Sequence, residues 1–128
     1  MRRTRTKRAD LRIVLVEDNP YDVELTTAQL RGYQVSCCIV AVATREAFEA
    51  ELAKEPDLIL SDLSVPCFEG TSVLALAKAK CPDVPFVFLT GSFREELKAT
   101  VLASGADDYV LKGDIKRLLQ AIDRLCRR

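Results

Sequence analysis

The chain of 128 residues contains no histidine. The usual general base near neutral pH and the commonest nitrogen ligand for zinc are therefore both missing. The five cysteines, Cys37, Cys38, Cys67, Cys81 and Cys126, form no C-x-x-C pair and are odd in number. Neither a zinc site nor a disulfide framework is indicated, and all five read as small buried hydrophobes in a reducing compartment. No apolar run approaches the roughly 18 residues that span a bilayer. The basic N-terminus has no apolar segment behind it, unlike a secretory signal. The expectation is a cytoplasmic chain without membrane contact. A Gly-rich phosphate loop is also lacking. The turn after the first apolar run is "EDNPYD", acidic where a nucleotide phosphate would sit, which excludes a dinucleotide-binding fold.

Formal net charge is zero, yet the charge is unevenly placed. "MRRTRTKR" holds five of the nineteen Lys and Arg and no acid, so residues 9–128 carry fourteen bases against nineteen acids, a net of −5. The folded part offers no evident basic face for nucleic acid, so direct DNA binding is not expected. Residues 1–10 read as a solvated, disordered basic tail, and residues 11–128 as one domain of ordinary size.

Within that domain short apolar runs alternate five times with amphipathic segments. The runs are "RIVLVED" (12–18), "VSCCIVAV" (35–42), "DLILSD" (57–62), "PFVFLT" (85–90) and "DYVLK" (108–112). Helices are expected between and after them. Asn19 and Pro20 start the first, which can end at Gly32. Thr44 caps the second, and "TSVLALAKAK" after Gly70 forms the third. The fourth opens on Ser92 and Glu95 in capping-box spacing and closes at Gly105. Asp114 caps the last, where Ile115, Leu118, Leu119, Ile122 and Leu125 fall at helical spacing. Strands alternating with helices give βαβ units and a parallel sheet: a single doubly wound α/β domain.

In such a sheet the site lies outside the carboxyl ends of the strands. The first strand ends in Glu17-Asp18, the third in Asp62, the fourth in Thr90 and the fifth in Lys112. Carboxylates gathered in a low-dielectric cleft repel one another. Lys112 offsets one charge, and a hard divalent cation, best Mg2+, would balance the remaining −2. With no histidine and no suitable thiol, the available nucleophile is a carboxylate, which can attack phosphorus to form an aspartyl phosphate. Asp62, central in the sheet, is the natural choice. Glu17 and Asp18 would hold the cation, while Thr90 and Lys112 would contact phosphoryl oxygens.

From about Arg12 to Leu125 the sequence resembles the receiver domain of two-component response regulators. The resemblance is carried by "VLVEDNP", "DLILSDLSVPCFEG", "FLTGS" and "GADDYVLK". It implies a flavodoxin-like (βα)5 fold with strand order 2-1-3-4-5. It also implies Asp62 as phosphoacceptor, and Mg2+ held by Glu17, Asp18, Asp62 and the Ser64 backbone carbonyl. Thr90 and Lys112 become phosphate contacts, and Thr90 with Tyr109 becomes the switch pair. On residue type alone Tyr109 reads equally as a half-buried aromatic with a wet hydroxyl. The implied partners are a sensor histidine kinase or phosphotransfer protein, and a downstream protein on the face of the fourth helix, fifth strand and fifth helix (Phe93, Leu97, Tyr109, Arg117). That face would leave the chain a monomer or a weak phosphorylation-dependent dimer. One departure stands out: Gly113 follows the lysine where the family usually has proline.

Two other readings compete. A phosphorylation-independent pseudo-receiver is disfavoured by retention of Glu17, Asp18, Asp62, Thr90 and Lys112. An aspartate-nucleophile phosphohydrolase would carry a second acid two residues after the nucleophile, where this chain has Ser64. The expectation is a signalling phosphoacceptor, not a turnover enzyme. Small Ser64 and Ser92 flank the site and would leave room for water.

Overall fold

The computed structural model describes residues 10–65 and 68–126. The basic N-terminal arm (1–9), Pro66 and Cys67 lie outside the described residues. The elements run β1 (Leu11–Val16), α1 (Pro20–Gly32), β2 (Cys37–Val42), α2 (Arg45–Leu52), β3 (Leu58–Asp62), β4 (Ser64–Val65) and β5 (Phe68–Glu69). After these come α3 (Gly70–Lys80), β6 (Phe86–Thr90), α4 (Glu95–Ala103), β7 (Asp108–Leu111) and α5 (Ile115–Cys126). Five parallel strands form one sheet in the order β2-β1-β3-β6-β7. Counting only sheet strands in chain order, this is 2-1-3-4-5, the flavodoxin-like α/β fold.

The central strands are apolar almost throughout because both faces are covered. Alternation sorts their side chains. Val14, Val16, Ile59, Phe86 and Phe88 pack with Phe48, Leu52, Val73, Leu74 and Val101 from α2, α3 and α4. Ile13, Leu15, Leu58, Leu60, Val87 and Leu89 face the opposite side, against Leu30 of α1 and Leu118 and Ile122 of α5. Register then fixes which residues leave the sheet together. Val16 pairs with Ser61, Asp62 with Leu89 and Thr90 with Leu111. The first residues past β1 and β7, Glu17 and Lys112, are tied back by their backbone N–H groups to the carbonyls of Val42 (2.9 Å) and Thr90 (2.7 Å).

Most helix starts agree with the sequence. Asn19 accepts from the Tyr21 N–H (2.9 Å) with Pro20 at the first helical position. Thr44 accepts from the Ala47 N–H, and Asp114 from that of Arg117. Several expectations are corrected. The fourth helix has Arg94 at its cap without a side-chain bond, because the Ser92 N–H and carbonyl serve the Thr90 hydroxyl instead. α1 does end at Gly32, as expected, although the left-handed residue beyond it is Gln34, at φ 63°. Cys38 is exposed and Cys37 only half-buried because β2 is an edge strand, and Cys81, just past α3, and Cys126, at the end of α5, are half-buried as well. An antiparallel β4–β5 ladder, pairing Ser64 with Glu69 and Val65 with Phe68, forms between β3 and α3, in a stretch to which the sequence assigns no element.

Candidate functional site

Three carboxylates meet at the mouth of the sheet. Oxygens of Glu17, Asp18 and Asp62 all lie within 4.8 Å of one another. They differ in setting. Glu17 is buried, Asp62 half-buried and Asp18 exposed. Lys112 reaches the group from the end of β7. Its ammonium lies 2.8 Å from Glu17 Oε1, 2.8 Å from Asp22 Oδ2 and 3.5 Å from Asp62 Oδ1. Glu17, Asp18, Asp62 and Lys112, expected together at the strand ends, do meet in the structure. Asp22 joins them unexpectedly. An acid in the first turn of a helix has a sufficient local reason to be there, since it suits the helix dipole. Nothing in a periodic pattern shows that it meets a lysine 90 positions away.

Glu17 is held above the ordinary carboxylate range, first because burial penalises its charge. Hydrogen bonds from Lys112 and the Asn19 N–H work against that rise, and the charge of Asp62 adds to it. For Lys112, burial alone would lower the pKa. Hydrogen bonds to Asp22 and Glu17, with the charges of Asp62 and Glu17, outweigh it and raise the ammonium above the ordinary lysine range. With Asp22 included, four carboxylates face one ammonium, a formal −3 where the sequence suggested −2. A hard divalent cation suits this donor set: all oxygen, clustered, and open to water on the Asp18 side.

Thr90 is buried at the end of β6. Its hydroxyl donates to the Ser92 carbonyl at 3.0 Å and accepts from the Ser92 N–H at 3.2 Å. Among the described residues it makes no hydrogen bond to Asp62. Tyr109 is 1% exposed, which overturns the half-buried alternative. Its hydroxyl accepts from the Arg94 N–H (3.3 Å) and approaches the same Ser92 carbonyl at 3.5 Å. Its ring packs on Phe93 at 4.8 Å, and Lys98 lies over the Phe93 ring. The Ser92 carbonyl therefore stands between the threonine of the site and the tyrosine of the α4–β7–α5 face. Gly113 has φ +88°, a backbone angle closed to proline.

The family model described as the response regulator receiver domain matches residues 13–123. The chain belongs to that family. Among curated relatives of this receiver domain, the regulatory protein LuxO of Vibrio cholerae is 36% identical over 77% of the chain and 21% of its own length. The DNA-binding response regulator MtrA of Mycolicibacterium smegmatis is 36% identical over 79% of the chain and 43% of its own length. The chain thus spans less than half the length of these relatives. Among solved structures, the receiver domain of the sensor histidine kinase PA1611 from Pseudomonas aeruginosa superposes with a TM-score of 0.79 at 27% identity. The match covers 94% of this chain and all of that one, whose active-site cleft holds a magnesium ion. The phosphorylated cyanobacterial phytochrome response regulator RcpA superposes with a TM-score of 0.73 at 30% identity, over 92% of this receiver domain and 94% of that chain. The receiver family is a class of signalling module, not of turnover enzymes. No helix among the described residues is long and apolar enough to cross a membrane.

Proposed function

We propose that this receiver domain accepts a phosphoryl group on Asp62 from a phosphohistidine of a sensor kinase or phosphotransfer protein and passes the signal on by protein contact. One observation carries the reading: Asp62 shares a 4.8 Å cluster with Glu17 and Asp18 while Lys112 stands 3.5 Å from its carboxylate. Glu17, Asp18, Asp62 and the Ser64 carbonyl would hold Mg2+, which when bound neutralises charge building up on the phosphoryl oxygens.

The chain's own residues do the rest. An Asp62 carboxylate oxygen attacks phosphorus in line as the P–N bond to the donor imidazole breaks, and the imidazole leaves with the bonding pair. Lys112 supplies a fixed positive charge beside the incoming oxygens. The Thr90 hydroxyl gives up the Ser92 carbonyl to donate to a phosphoryl oxygen. That carbonyl is then available to the Tyr109 hydroxyl alone, which carries the change to the α4–β7–α5 face, where the downstream partner would bind. The chemistry ends with the acyl phosphate. The position two residues on is Ser64, not an acid, which disfavours rapid turnover.

A second reading has a specific observation behind it. Tyr109 is already buried with its hydroxyl engaged, as would suit a module that binds its partner without phosphorylation. One experiment separates the two. The protein is incubated with acetyl phosphate and Mg2+ and followed by intact mass. The proposal expects one phosphoryl group on the wild type and none on Asp62→Asn. A wild type that stays unlabelled while another receiver domain is labelled supports the phosphorylation-independent module.

A further inference from the structure

Asp22 stands outside the set of residues that the family resemblance assigns, yet it makes one of the two shortest contacts to Lys112. Its place is set locally. Asn19 caps α1 and Pro20 opens it, so Asp22 falls in the first turn with its carboxylate at the mouth of the sheet. The helix dipole would account for an acid there, but not for an ammonium at 2.8 Å. The loop carrying that ammonium also leans on α1 elsewhere, through a long 3.5 Å contact from the Gln29 side chain to the Gly113 carbonyl.

An ammonium has three N–H donors. Glu17 and Asp22 take two at full ion-pair distance. The Asp62 carboxylate lies farther off, at 3.5 Å, beyond the 2.7–2.9 Å of a strong charge-assisted bond. Lys112 is thus held from behind. It keeps a positive charge beside Asp62 without tying up the carboxylate oxygen.

We infer that Asp22 is a positioning residue that parks the Lys112 ammonium against α1, leaving Asp62 free for the divalent cation and for attack on phosphorus. Without it, the ammonium loses one of its two short partners and settles on Asp62. There it competes with the cation for the same oxygen. The inference rests on reading Glu17, Asp18 and Asp62 as a Mg2+ site.

The test is a double-mutant cycle on Mg2+ affinity, measured by isothermal titration calorimetry on the full chain, with circular dichroism to confirm folding. The four proteins are the wild type, Asp22→Asn, Lys112→Met and the double variant. Asp22→Asn should weaken Mg2+ binding about fivefold, a coupling of ordinary size for contacting charges. In the Lys112→Met background the same change should alter affinity less than about twofold. Asp22→Glu, which keeps the charge and a hydrogen-bonding carboxylate, should recover most of the wild-type affinity. Equal weakening in both backgrounds would show that Asp22 acts only as a distant charge, and would overturn the inference. So would unchanged or tighter binding in Asp22→Asn. A wild type that binds no Mg2+ would remove the cation-site reading and this inference together, whereas Mg2+ binding without coupling would remove the inference alone.

Discussion

At the scale of single residues, Lys112 and Glu17 set the electrostatics of the site. Glu17 is nearly buried with Lys112 at 2.8 Å, so removing the ammonium leaves a carboxylate without its compensating charge. Lys112→Met should cost about 2 kcal/mol of metal-free stability in urea unfolding, and saturating Mg2+ should recover part of that loss. The pH dependence follows from the same pair. Because the Glu17 pKa in the folded protein is raised above 4.5, the folded state takes up a proton more readily than the unfolded one. Its contribution therefore favours folding at low pH and declines as pH climbs from 4.5 through the raised value. A protonated Glu17 cannot serve a cation. The rise in melting temperature caused by Mg2+ should accordingly shrink as pH falls through that same window, measured as the difference between scans with Mg2+ and with chelator. A Mg2+ effect that stays constant across the window would place the cation elsewhere.

At the scale of elements, the connection after β7 sets how Lys112 is aimed. The β7–α5 connection depends on Gly113 at φ +88°. A Cβ there would meet nothing within 4 Å, so the restriction is conformational and not one of space. Gly113→Ala should cost about 1 kcal/mol. Gly32→Ala, at the end of α1 with no positive φ, should be neutral or stabilising by up to about 1 kcal/mol, both read by chemical denaturation. Gly113→Pro, though it restores the family's usual residue, should be worse than Ala, since φ near −65° cannot support this turn. Asp108 makes a parallel case for α5. It is buried on β7 and bound by Arg117 (2.9 Å) and Arg124 (2.7 Å). Removing both arginines leaves a buried carboxylate, while removing the acid leaves guanidinium groups that reach water. The double Arg117→Ala, Arg124→Ala change should thus destabilise more than Asp108→Asn, by about 1–2 kcal/mol.

Elements that declare themselves by local chemistry were legible in the sequence. The apolar strands show their two-sided burial as continuous Val, Ile and Leu. Asn19-Pro20, Thr44 and Asp114 start helices because the side chain or the fixed φ acts on adjacent backbone. What could not be read depends on partners distant in the chain. The Ser92–Glu95 spacing fits a capping box, yet the Ser92 backbone is taken by Thr90 just before it, and its carbonyl is approached by Tyr109, 17 positions on. Asp22 looks like a dipole residue until β7 brings Lys112 beside it.

At the scale of the whole molecule, the fold gathers charges that no local segment would hold together. Parallel register delivers Glu17, Asp62, Thr90 and Lys112 to one edge, and helix α1 adds Asp22. The formal −3 of four carboxylates and one ammonium gives the domain a standing electrostatic demand, which a divalent cation reduces and a phosphoryl group reorganises. In the proposed switch, the far end is the buried Tyr109 with Phe93 on its ring, which shares the Ser92 carbonyl with Thr90. Phosphorylation of Asp62 would then be linked to shape on the α4–β7–α5 face without a change of fold.

The central claim is that Asp62 itself carries the phosphoryl group. Borohydride reduces an aspartyl phosphate to homoserine, so the modified position can be found by peptide mass spectrometry after labelling with acetyl phosphate and Mg2+. The account predicts homoserine at position 62 and nowhere else. Homoserine at position 18 or 22, or a labelled protein that yields none at all, would contradict it.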